Sequence, residues 1–70
     1  MNRYLLLNKN LYEEKAIRRT ISDFSHIADI EMIEEEDYWK CFFEHTKVSV
    51  DKTVYEFENY LIAVANQRGV

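Results

Sequence analysis

The side chains of this 70-residue chain best suited to nucleophilic or metal chemistry are Cys41, His26 and His45. A reactive thiolate needs a cation, an imidazole or a helix N-terminus beside it. His45 shares strand parity with Cys41 but stands about 13 Å further along an extended chain, too far for a catalytic pair. Cys41 has Trp39 and Phe43 as its same-face neighbours and reads as a small buried hydrophobe. Zinc asks for about four ligands with imidazole or thiolate among them, and the two histidines fit neither HxxxH nor HExxH spacing. The acidic run Glu34-Glu35-Glu36-Asp37 lacks the alternating oxygens and the glycine of a calcium loop, so it reads as a solvated hairpin tip. The carboxylates cannot be paired across a cleft, and the chain has no Gly-rich phosphate loop, nucleophile elbow or cofactor fingerprint. No catalytic residue, metal site or cofactor is expected, and at this length a pocket of about 300 Å³ or more is not expected either.

Composition narrows the classes further. Apolar residues make up 47% and charged residues 31%, enough to fold one small domain, expected over residues 1–70. A lone cysteine excludes an internal disulfide. Nine basic against thirteen acidic side chains give a formal charge of −4, unfavourable for general nucleic-acid binding. The apolar run Tyr4-Leu5-Leu6-Leu7 is too short for a signal peptide or a membrane span. The cytoplasm is therefore the expected compartment, with no membrane and no nucleic-acid partner.

Hydrophobic period assigns the elements that would position any site. Tyr4 to Leu7 predicts a first strand buried on both faces. Asn10 with Glu13 reads as a capping box for a helix carrying Ala16, Ile17, Thr20, Ile21, Phe24 and Ile27 on one side. Asp29-Ile30-Glu31-Met32 alternates as a half-buried strand. The aromatic-rich Tyr38–Glu44 follows the acidic turn as its hairpin partner. Thr53 with Glu56, or Asp51 two residues earlier, predicts the start of a second helix with Val54, Phe57, Leu61, Val64 and Ala65 as its apolar stripe. Arg68 and Gly69 suit its end.

The order strand, helix, strand, strand, helix, with a right-handed crossover, predicts an α+β, β-α-β-β-α two-layer sandwich. Its three-stranded sheet has the order 1-3-2 and both helices on one face, a truncated ferredoxin-like arrangement; a meander with the first strand outside the hairpin is the alternative. Parity then sends Leu5, Leu7, Ile30, Met32, Trp39, Cys41 and Phe43 toward the helices. Tyr4, Leu6, Ile33, Tyr38, Lys40 and Phe42 point the other way, where no third layer remains to cover them. A contiguous apolar patch of that kind usually marks an interface. Pairing with a second copy as a homodimer, or with another protein, is expected.

Two segments carry a resemblance. Asn10-Leu11-Tyr12-Glu13-Glu14-Lys15-Ala16-Ile17, with Phe24 beyond it, resembles the opening of HxsD-like proteins, and so does Glu56-Phe57-Glu58-Asn59-Tyr60-Leu61-Ile62 in the second helix. Asn59 and Tyr60 fit the family's last helix, whereas Ala63 and Val64 stand where it carries arginine and glutamate. The resemblance implies a small, non-catalytic accessory protein of a His-Xaa-Ser-type radical-SAM peptide maturation system, in which the product is a modified ribosomal peptide (RiPP). Its implied partners are a radical-SAM enzyme or its precursor peptide. On that reading Tyr4, Leu6, Ile33, Tyr38 and Phe42 anchor the partner, and Tyr55, Asn59 and Ile62 form a second stripe. An extended peptide adding to the edge of the second strand is a further route. A homodimeric structural module and a small acidic regulatory protein are the alternatives.

Overall fold

The computed structural model describes residues 3–67. Its elements are β1 (Arg3–Asn8), α1 (Glu14–Asp23), β2 (Asp29–Glu34), β3 (Tyr38–Glu44) and α2 (Val50–Ala65). The strands form one sheet in the order β1-β3-β2, and β3 pairs antiparallel with both neighbours. The architecture is α+β with the predicted order of elements and strands. Antiparallel pairing on both sides of β3 makes β1 and β2 parallel to each other, as a strand–helix–strand crossover requires.

The core lies between the sheet and the two helices. Leu7, Cys41 and Phe43 of the sheet meet Ile17 and Phe24 from α1 and its C-cap, and Val54, Phe57 and Leu61 of α2. Leu5, Ile30, Met32 and Trp39 pack around them, which is the inward set that side-chain alternation predicts. Three edge-to-face aromatic pairs run through the core, one joining the sheet to α2 and two joining the end of α1 to α2. Phe57 contacts Phe24 and Phe43 at ring centroid distances of 5.4 and 5.1 Å, and Phe24 contacts Tyr60 at 5.5 Å.

Four local expectations fail. The N-cap of α1 is Glu13 rather than Asn10, and its side chain makes no capping bond. The polar turn belongs instead to Asn8, whose carbonyl accepts from the Leu11 and Tyr12 amides and whose side chain accepts from the Asn10 amide at 2.7 Å. Asparagine does this readily because its short side chain closes a turn on its own backbone. α1 also stops at Asp23, earlier than the apolar period suggests. The backbone keeps turning through 24–27, with the Ala28 amide bonded to the Phe24 carbonyl, so Phe24 and Ile27 still face inward.

At α2 the N-cap is Ser49, whose hydroxyl accepts from the Lys52 amide at 3.1 Å. Thr53 sits inside the helix, buried, with its hydroxyl donating to the Ser49 carbonyl at 2.9 Å, so it cannot cap. Asp51 lies in the first turn, where the helix dipole favours it, and pairs with Arg3. Arg68 and Gly69 fall outside the described residues. Finally, β1 is covered on one face only. Leu7 is buried, whereas Tyr4 and Leu6 are 48% and 47% exposed.

Candidate partner-binding surface

Pleating places alternate residues of each strand on the side away from the helices, and strand register then decides which of them touch. One row across the sheet is Tyr4, Phe42 and Glu31, and the next is Leu6, Lys40 and Ile33. Tyr38 stands beside Asn8 at the hairpin end. Tyr4, Leu6, Ile33 and Tyr38 are exposed, and Phe42 is half-buried. The five predicted sheet anchors therefore sit together on one continuous face.

Lys40 organises the middle of that face. Its ammonium lies 4.7 Å from the centroid of the Tyr4 ring and 5.4 Å from that of Phe42. The two rings meet edge to face at 5.9 Å. A cation over two aromatic faces is attracted by their quadrupoles, which holds the lysine chain flat and half-buried. Among the described residues no carboxylate pairs with Lys40. Glu31, on the opposite margin of the Tyr4–Phe42 row, is exposed and likewise makes no ion pair with a described residue. Glu31 is not among the anchors that the sequence singles out, although its parity with Ile33 puts it on this face.

Tyr55, Asn59 and Ile62 are exposed along α2, at the four- and three-residue spacing that lines up one side of a helix. They form a surface separate from the sheet face, since α2 packs on the sheet's other side. Neighbouring Tyr60 is held differently. Its hydroxyl donates to Asp23 at 2.7 Å, stitching α2 to the end of α1. That bond to a carboxylate, more than the partial desolvation or the charge of Asp23, raises the phenol's pKa above its usual value.

The candidate reactive groups stay apart. Cys41 is fully buried, and loss of hydration pushes its pKa up to about 11, which disfavours the thiolate. His45 is exposed at the end of β3, in the left-handed backbone region at φ 52°, with its Nδ1 2.9 Å from Asp29. His26 is exposed beyond α1. No three metal-binding side chains come together among the described residues.

An open groove of about 500 Å³ runs between the β1–α1 loop and the ends of both helices, larger than the chain length suggested. Lys9, Lys15, Arg19 and Leu11 are among its lining residues, and no histidine, cysteine, serine or threonine is. Lys9 pairs with Glu34 at 2.8 Å and donates its amide to Asp37 at the acidic hairpin tip, while Arg3 pairs with Asp51 at the far end of β1. Both β1 and β2 are open edges, so the second strand is not the sole edge a peptide strand could extend. No helix among the described residues is long and apolar enough to cross a membrane.

Residues 7–66 match the family described as His-Xaa-Ser system protein HxsD. The chain belongs to the HxsD family. That membership makes it an accessory protein of the His-Xaa-Ser system. No curated protein and no solved structure matches it. The HxsD match begins at the last core residue of β1 and runs one residue past α2, so it takes in Ile33, Tyr38, Lys40 and Phe42 of the sheet face and the whole α2 stripe. Tyr4 and Leu6 precede it.

Proposed function

We propose that this HxsD protein acts by contact rather than by catalysis, as an adaptor that binds a peptide or the radical-SAM maturation enzyme of its system. One observation carries the reading: a helix-free sheet face on which Tyr4, Leu6, Ile33, Tyr38 and Phe42 surround Lys40, a cation that no carboxylate among the described residues pairs with. Large apolar groups clustered in this way mark interaction sites more often than solvated surface. The burial of Cys41, its raised pKa and the separation of both histidines from it support contact over thiol chemistry. Tyr55, Asn59 and Ile62 supply a second contact surface on the opposite layer.

The test is co-purification of the tagged chain with the maturation enzyme and the precursor peptide of the same system. Wild type is compared with Phe42→Glu and with Tyr55→Ala/Ile62→Glu. Circular dichroism confirms that each variant is folded. Loss of either partner in at least one folded variant supports the adaptor. Undiminished recovery by both, or recovery of neither partner by wild type, contradicts it.

A further inference from the structure

We propose that the sheet face is self-complementary and that, in the isolated protein, its occupant is a second copy of the chain. This rests on the reading of that face as an interface, and it assigns the α2 stripe to the peptide or enzyme.

The charge layout carries the argument. Glu31 lies on the β2 side of the Tyr4–Phe42–Glu31 row, while the Lys40 ammonium leans toward β1, over Tyr4. A twofold axis running parallel to β3, between two facing sheets, lays β1 of one copy over β2 of the other. Each Lys40 ammonium then faces the partner copy's Glu31, twice by symmetry, as an isologous interface requires. Leu6 meets Ile33, and Phe42 meets its own symmetry mate. A twofold axis across the strands would instead stack β1 on β1, with Lys40 near Lys40 and Glu31 near Glu31, which like-charge repulsion disfavours. Both orientations keep the strands of the two sheets nearly aligned, so the charges decide between them.

Size sets the strength. Three strands of about six residues present a face of roughly 14 by 20 Å. With side-chain relief, two such faces bury on the order of 1,000 Å², at the lower edge of specific interfaces. A face of that size suits a reversible, concentration-dependent dimer rather than an obligate one. Its two α2 stripes point outward on opposite sides, which leaves Tyr55, Asn59 and Ile62 free for another protein.

Sedimentation equilibrium on the full chain, from about 5 to 500 µM, reads the outcome directly. Wild type is expected to dimerise. Lys40→Glu and Glu31→Lys are each expected to weaken the dimer at least about tenfold, because each juxtaposes like charges twice. The double variant K40E/E31K is expected to regain affinity, since the pair is restored with its sign reversed. Thermal unfolding at low concentration verifies that all variants fold. A wild type that stays monomeric throughout, single variants that associate as well as wild type, or a folded double variant that regains nothing would each overturn the proposal. A monomeric wild type whose Phe42→Glu variant still loses the maturation enzyme would sink the dimer and leave the adaptor standing.

Discussion

The two faces of the same three strands are built from similar residues and have opposite fates. Facing the helices, Leu7, Cys41 and Phe43 are buried in one cluster with Phe57 and Leu61. Facing outward, Tyr4, Leu6 and Ile33 lie open, although their side chains are equally large and apolar. Composition does not separate the faces; the placement of both helices on one side does. The inner face carries folding stability, whereas the outer face contributes little to it within one chain and so is available for association. Even there the cation–π contacts of Lys40 give partial cover, drawing the Phe42 ring toward half-burial.

Substitutions on the two faces should therefore diverge sharply. Phe57→Ala is expected to cost about 3–5 kcal/mol, enough to unfold much of the population, because it empties the junction of α2 with both Phe24 and Phe43. Phe42→Ala, read in the same urea titration at low concentration, is expected to cost about 1 kcal/mol or less, as for a partly exposed side chain. Comparable losses from the two would erase the distinction.

The inner face also predicts a pH dependence. Cys41 keeps its proton in the folded chain to about pH 11, whereas the unfolded thiol ionises near 9.0. The stabilisation is complete below about pH 9 and is lost as pH rises through 11, on the order of 2 kcal/mol. Cys41→Val should flatten that part of the profile relative to wild type. A thiol reagent should label native Cys41 far more slowly than the unfolded chain, and equal rates would place the residue outside the core.

Smaller effects sharpen the account of how the helices are fixed above the sheet. Ser49→Ala is expected to lower stability by about 1 kcal/mol, since it removes the bond to the Lys52 amide. Asn10→Ala, which removes no capping bond from α1, is expected to change it by less than about 0.5 kcal/mol. Equal losses in thermal unfolding would contradict the cap assignment.

Element types were legible in the sequence because the apolar run at Tyr4–Leu7, the alternation at Ile30 and Met32, the aromatics of Tyr38–Glu44 and the helical spacing of Val54, Phe57 and Leu61 report burial directly, and strand order followed from the handedness of the crossover. Helix starts were not. Several side chains near each start can cap, and tertiary packing selects among them: Thr53 was committed to the core, leaving Ser49 at the boundary. The exposed face was legible once both helices were assigned to one side. Its charge pattern was not, because the lean of Lys40 toward Tyr4 and the position of Glu31 across the row depend on register, which composition does not encode.

The most direct measurement is a dilution series followed by amide and side-chain NMR shifts, which shows which surface changes its surroundings as copies meet. Shifts confined to Tyr4, Leu6, Glu31, Ile33, Lys40 and Phe42, with Tyr55, Asn59 and Ile62 unmoved, are the expected result. Shifts that fall on the helices instead, or a spectrum unchanged up to about 500 µM, would contradict the claim that the bare side of the sheet is where this protein meets a copy of itself.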